Sequence, residues 1–351
     1  VIFKYPPKDT FFGRIKKAHF KDLEEVMQVK DITSRDIWRA KKRIAPYITR
    51  TPLVYSPELS EKTGANIYLK FENLQAIGAF KVRGAANKIL SLTKEQRAKG
   101  VSTFSTGNHG MAVAHIASRL GIKAIVCMSK NVPAVKVKAI GRWNPTILQN
   151  WDSQDAAGVY CYELQEKKGT VVIPPSDDKE IICGQGTMSL EILEDCPEID
   201  TAIVPLSGGG LMSGVTLGFK LTVPDVKLIG VSHERAAVMI ESLKVGHPIE
   251  MPEEETLADS LLGGIGLDNK YTFDITRDYV DETVQVSEEE IAKGVAYIME
   301  NHHLIAEGAS ATGVALAMRD GYIKPGSNVA IIITGCGIPM SQVKQIVNAH
   351  F

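Results

Sequence analysis

Lys81 stands directly after Phe80 and before Val82-Arg83-Gly84 in the stretch FENLQAIGAFKVRGAANKI, 71–89. A helix start ordinarily takes Ser, Thr, Asp or Asn at its cap and keeps its cations for the last turn, where the helix dipole favours them. A lysine placed early beside a phenyl ring is a candidate nucleophile and base, because desolvation lowers an amine's pKa towards the range in which it reacts. A solvated surface lysine is the alternative. Three glycine-bearing loops could supply its partners. Ser105-Thr106-Gly107-Asn108-His109-Gly110 can hold a carboxylate on amides and small hydroxyls, with Asn108 reaching a ring oxygen, or it is simply a capped turn. Ser207-Gly208-Gly209-Gly210-Leu211 offers amides that match the oxygens of a phosphate. Three successive residues without Cβ lose much backbone entropy, which suits a chain wrapped closely around a ligand. Thr334-Gly335-Cys336-Gly337 carries a hydroxyl able to meet a heterocyclic nitrogen without charging it, and a buried structural threonine fits as well.

The second loop is neither G-x-x-x-x-G-K-[ST] nor G-x-G-x-x-G, so nucleotide-binding loops fit poorly. A phosphate cup, an anion turn and an isolated lysine together suggest pyridoxal 5'-phosphate, with the lysine forming a Schiff base and the glycines holding the phosphate.

Such groups need a scaffold that delivers them to one place. Ile37, Ala40, Ile44 and Ile48 share one face of a helix that begins after Thr33. From NIYLKFE onwards, short β-branched runs alternate with helical segments. One helix is expected over 84–99, with Gly100 past its end, and a strand over VSTFST, 101–106; later strands are KAIVCMS, TILQN, TVVIPP, TAIVPLS, VKLIGVS and NVAIIIT. Runs without polar alternation read as strands covered on both faces, hence mainly parallel sheets in a doubly wound α/β protein. Such sheets bind ligands at the carboxyl ends of their strands, where the three loops fall.

The 351 residues suggest two domains. Forty Lys and Arg against 41 Asp and Glu leave a formal charge of -1, with no global field for nucleic acid or an anionic membrane, so small-molecule partners are expected. Five cysteines without a C-x-x-C pair fit a reducing compartment. No apolar run approaches the roughly 18 residues of a spanning helix, and the first residues lack a secretory stretch, so a cytoplasmic location is expected.

GAFKVRGAANKI at 78–89, STGNHGMAVA at 105–114, GQGTMSLEI at 184–192, VPLSGGGLMSG at 204–214 and AEGASATGVA at 306–315 occur in the order and spacing of one family. The chain resembles the serine/threonine dehydratase and serine racemase family of fold-type II pyridoxal-phosphate enzymes, over about 33–345. That resemblance implies two doubly wound open-sheet domains with a tryptophan synthase beta-like fold. It divides the chain into an extension, 1–32, a large domain of 33–94 and 179–351, and a small domain of 95–178. It implies a Schiff-base role for Lys81, with Phe80 against the ring, Asn108 at the 3'-oxygen, Ser207 to Leu211 at the phosphate, Glu307 beside the ring and Thr334 opposite the pyridine nitrogen. Ser105, Thr106, Asn108 and His109 would line the substrate carboxylate site.

The implied reaction is β-elimination from a β-hydroxy amino acid such as L-threonine or L-serine, Lys81 taking the α-proton and the product hydrolysing to a 2-oxo acid and ammonia. A hydroxyl at 334 is expected to leave the pyridine less protonated than an aspartate would. Serine or aspartate racemisation is the alternative, with Thr106 where racemases carry a serine; 3-hydroxyaspartate is another substrate, for which Arg142, His109 and His233 are the cations to consider. Ala79 and Ser260 replace the family's usual serine and glycine. Ser232 and Val238 replace the carboxylates of its divalent-cation site, so no metal is expected there. A homodimer is implied by resemblance alone.

Overall fold

The apolar runs pair into two open sheets. The computed structural model describes residues 28–132 and 134–351; most of the expected extension, 1–27, lies outside the described residues. The larger sheet has the spatial order Glu282–Val286, Lys227–His233, Thr201–Pro205, Asn328–Ile333, Asn66–Phe71 and Leu53–Tyr55. Every pairing is parallel except the antiparallel edge strand Leu53–Tyr55. Val329 to Ile333 are all buried, as a strand covered on both faces requires. The smaller sheet is wholly parallel, in the order Thr146–Trp151, Ala124–Ser129, Val101–Thr103 and Val171–Val172. Its strands all come from one continuous stretch, whereas those of the larger sheet come from both sides of that stretch.

Local chemistry moved three of the expected boundaries. The single helix expected over 84–99 is two, Lys81–Ser91 and Lys94–Lys99, with Gly100 past the end of the second as expected. Leu92 is extended, and Thr93 opens the second helix with a capping box: Gln96 N–H donates to Thr93 Oγ1 at 3.2 Å and Thr93 N–H to Gln96 Oε1 at 2.9 Å. The first helix, Ser34–Ile44, buries Ile37, Ala40 and Ile44, but Ile48 lies beyond its end because Pro46 cannot continue it. The strand expected over 101–106 stops at Thr103, whose hydroxyl donates to Ile173 O at 3.0 Å, and Ser105 and Thr106 form the loop into the next helix.

Three helices cross closely beneath the site: Lys81–Ser91, Lys179–Asp195 and Gly210–Lys220. A Cβ on Gly184 would lie 2.7 Å from Gly84 Cα, which accounts for the glycines of GQG as a packing device. Between these helices and the strand Asn66–Phe71 lies a fully buried ion cluster. Arg83 donates through Nε and Nη2 to Glu72 at 2.7 Å each, and through Nη1 and Nη2 to Glu191 at 2.7 and 2.8 Å; Lys70 Nζ adds a 2.7 Å bond to Glu191. Two cations against two carboxylates leave the cluster neutral. It ties the helix that begins with Lys81 to the sheet below.

Candidate active site

Lys81 opens its helix because the preceding loop is clamped from the other side. Phe80 N–H donates to Thr334 O at 2.9 Å, Cys336 N–H donates to Gly78 O at 3.0 Å, and Ala79 bridges Gly335. The end of the strand Asn328–Ile333 thereby fixes the start of the Lys81 helix. Lys81 Nζ donates to Pro175 O at 2.8 Å and lies 5.2 Å from the centre of the Phe80 ring. Desolvation lowers the amine from 10.5 to about 8, opposed by the attraction of Glu307. Such an amine is still mostly charged at neutral pH but gives up its proton far more readily than a solvated lysine, as proton transfer requires.

Asn108 begins the helix Asn108–Leu120, and its Nδ2 donates to both oxygens of Glu307 at 3.2 Å. Glu307 also accepts Gly337 N–H at 3.0 Å, and burial raises its pKa. A Cβ at Gly335 would lie 2.7 Å from its Oε1, so the T-G-C-G turn is glycine-built around this carboxylate. Thr334 is buried, and its Oγ1 lies 2.9 Å from Ser310 Oγ.

The glycine loop follows the strand Thr201–Pro205. Gly209, at φ +81°, turns the chain into the helix Gly210–Lys220. Its Cα faces protein, since a Cβ would lie 2.8 Å from both Met239 Cε and Thr272 Cβ; a Cβ on Gly210 would lie 2.7 Å from Ser176 Cα. The glycines are therefore needed for packing behind the loop. Among the described residues, no hydrogen-bond acceptor takes the amides of Ser207, Gly208, Gly209 or Gly210. Unpartnered amides at a helix start form a cradle for an anion. Leu211 contributes only its backbone there, its side chain being buried in the core.

One segment joins these parts. Pro175 O receives Lys81, Ser176 packs on Gly208 and Gly210, and the carboxylate of Asp177 accepts the amides of Lys270, Tyr271 and Thr272 at 2.6, 2.8 and 2.9 Å. His109 belongs to the same junction: it is buried, with Nε2 on Ile173 O at 2.9 Å, and burial with the nearby Lys81 cation lowers its pKa to about 3. His109 is thus a neutral wall and supplies no cation to a carboxylate. Ser105 and Thr106 sit half-buried in the loop ahead of Asn108; Gly107 N–H approaches Ser105 Oγ at 3.4 Å, and the Thr106 hydroxyl has no partner among the described residues.

Of the other cation candidates, Arg142 is exposed at the far end of the helix Ala134–Gly141, away from the carboxyl ends of the strands, and His233 is buried with burial lowering its pKa. Ser232 is buried at the end of its strand and Val238 opens a helix. Among the described residues, no group of three or more His, Cys, Asp or Glu side chains is arranged to hold a metal ion. Pro175, Ser176, Asp177 and Ser310 went unassigned in the sequence; the last lies inside a quoted motif, but only the fold shows what it touches.

A desolvated lysine, an unpartnered amide cradle and a neutral hydroxyl at a third strand end fit a phosphorylated aldehyde with a heterocyclic nitrogen. Comparisons agree. The family model described as pyridoxal-phosphate dependent enzyme matches residues 44–335. The L-threonine ammonia-lyase of Thermotoga maritima is 40% identical over 90% of this chain and 78% of that one. The structure of maize serine racemase superposes with a TM-score of 0.84 at 36% identity, covering 90% of this chain and 97% of that one. The processed threonine deaminase isoform 2 of Solanum lycopersicum gives 0.85 at 30% identity, covering 94% and 88%. With two open α/β sheets and a family model that matches most of its length, this chain belongs to the pyridoxal-phosphate dependent enzymes.

Proposed function

We propose that the protein is an ammonia-lyase that removes the β-hydroxyl of an amino acid such as L-threonine or L-serine and yields a 2-oxo acid and ammonia. The observation that carries the reading is Lys81: an amine lowered to about 8, held at a helix start on Pro175 O and within the field of Glu307. In this reading the amides of Ser207 to Leu211 hold the phosphate, Asn108 meets the ring oxygen and Thr334 faces the ring nitrogen. The bound cofactor supplies an electron sink for the charge left at Cα. Lys81 takes the α-proton. The amides at the start of the Asn108 helix, with the hydroxyls of Ser105 and Thr106, bind the substrate carboxylate, and Glu307 fixes the orientation of Asn108. The likeness to threonine ammonia-lyase supports elimination as the outcome. The division into domains 33–94 with 179–351 and 95–178 is supported by the origin of the strands in each sheet. Five free cysteines support a reducing, cytoplasmic setting. No helix among the described residues is long and apolar enough to cross a membrane. A homodimer rests on the resemblance.

The test is borohydride reduction of the cofactor-supplied protein followed by peptide mapping, then a panel of L-serine, L-threonine and 3-hydroxyaspartate scored for 2-oxo acid. Label on Lys81 and oxo acid from serine or threonine are expected. Label elsewhere overturns the site. Loss of optical rotation without oxo acid would favour racemisation, for which the unspent Thr106 hydroxyl and the likeness to maize serine racemase are the supporting observations.

A further inference from the structure

The part of the chain that forms the smaller sheet brings Ser105, Thr106 and Asn108 to the site, and the part that forms the larger sheet brings Lys81, the glycine loop and Glu307. The site is complete only when the two parts are held against each other. The first part is a rigid arm. Ile140 of the helix Ala134–Gly141 is buried in one cluster with Ala114 of the helix Asn108–Leu120 and with Val126 and Met128 of the strand between them. A Cβ at Gly110 would lie 3.2 Å from Ile140 Cδ1 and 2.2 Å from Ser105 O, so both helices and the Ser105 turn form one packed body. The end of this body away from Asn108 is pinned, because Arg119 donates through Nη1 to Tyr47 O at 3.0 Å and through Nη2 to Pro46 O at 3.1 Å. On the side of the site, Lys136 Nζ reaches across to Asp259 Oδ2 at 3.3 Å. Asp259 stands at the edge of the site because Leu257 packs where the helix after Glu307 begins: a Cβ at Gly308 would lie 2.2 Å from Leu257 O. Burial and, after it, the charge of Asp259 raise the Glu307 carboxyl, which places Asp259 near the group that orients Asn108. Among the described residues, Lys136–Asp259 is the one ion pair between 101–172 and the rest of the chain.

We infer that Lys136 is a positioning residue: its bond to Asp259 holds the Ser105–Thr106 turn against the Lys81 side of the site and sets the fraction of the protein ready to take the substrate carboxylate. This rests on the reading above that the turn binds that carboxylate. The side chains of the pair are 43% and 39% exposed, so the bond is modest and screened by salt; it biases an equilibrium and does not lock it. A ligand that needs the closed arrangement binds with an apparent affinity reduced by the fraction of protein in that arrangement. Saturating substrate draws the protein back into it. Loss of the pair therefore raises KM and leaves kcat in place.

The experiment uses the full-length, cofactor-loaded protein. A water-soluble carbodiimide, which joins a carboxylate to an amine in contact with it with net loss of one water, is first applied without substrate, and the peptides are mapped. An amide between Lys136 and Asp259 is expected, and its absence overturns the inference without any variant. Kinetics with L-threonine and L-serine follow. Lys136→Met should raise KM about threefold, the size of an exposed ion pair, with kcat unchanged. Lys136→Arg, which keeps the charge, should restore the wild-type KM. Raising NaCl from about 0.05 M to about 0.5 M should raise KM in the wild type and not in Lys136→Met. An unchanged KM in Lys136→Met, a fall in kcat alone as a damaged fold would give, no rescue by arginine, or the same salt dependence in both proteins overturns the inference. The cross-link is read without turnover, so the two readings fail separately: an amide present with no oxo acid formed overturns the proposed reaction. The same threefold change is then expected in the dissociation constant of the amino acid that perturbs the cofactor absorbance, and an equal constant in both proteins overturns the role of Lys136.

Discussion

Replacing Lys81 with methionine should remove catalysis and yet stabilise the cofactor-free protein, by an amount that depends on pH. Burial lowers the amine from 10.5 to about 8. Between those values the unfolded chain holds a proton that the folded chain has released. The charged amine therefore opposes folding at full strength below pH 8, and the opposition fades as pH rises to 10.5. At about 1.4 kcal/mol per pKa unit the full effect is about 3 kcal/mol, of which about 2.5 kcal/mol disappears between pH 7 and pH 10. Methionine keeps the apolar stem and loses the bond to Pro175 O, worth about 1 kcal/mol. That loss shifts the variant by nearly the same amount at both pH values and leaves the pH dependence intact. With an unfolding entropy of about 2.1 cal/mol/K per residue, 1 kcal/mol corresponds to about 1.4 °C for a chain of this size. The assay is differential scanning of both cofactor-free proteins at pH 7 and pH 10. The Tm of Lys81→Met minus that of the wild type should fall by about 3 °C from the lower pH to the higher. A difference that does not change with pH would refute the claim that Lys81 is a desolvated amine.

Glu307→Gln keeps the shape that orients Asn108 but removes the charge that supports the Lys81 cation, so the Lys81 amine should titrate at lower pH; an acid limb of kcat/KM that moves to higher pH would contradict this. Gly209→Ala places a Cβ against Met239 and Thr272 at positive φ, and should lower stability by about 1–3 kcal/mol and weaken cofactor binding, measured by melting and by cofactor titration. Arg83→Met leaves Glu72 and Glu191 with only Lys70 as counter-charge, and should lower stability by about 3–5 kcal/mol, or roughly 4–7 °C in Tm. Lys70→Met should be milder, because Arg83 still engages both carboxylates; equal losses would show that the cluster does not act through Arg83.

Lys81, the three glycine loops and the alternation of β-branched runs with helices were legible because each depends on local chemistry: a residue type beside its neighbours, a missing Cβ, a period of apolar residues. Those features alone placed Asn108 and Thr334 at strand-to-loop junctions and predicted parallel sheets. The break at Thr93 was also written locally, as a Thr-x-x-Gln capping box, but helical periodicity on both sides obscured it. What depended on segments far apart in the chain was decided by the fold. Burial makes His109 a neutral wall where its type alone suggested an anion ligand, because Ile173 and Lys81 reach it from elsewhere in the sequence. The glycines at 209 and 210 pack against Thr272 and Ser176, residues that no local pattern connects to them. Nor could the sequence pair the hydroxyl of Thr334: Ser310 lies 24 residues away along the chain and 2.9 Å away in space, and only packing brings the two hydroxyls together. Sequence sets which groups are available. Long-range contacts determine their solvation and their hydrogen-bond partners, and these decide how each group behaves.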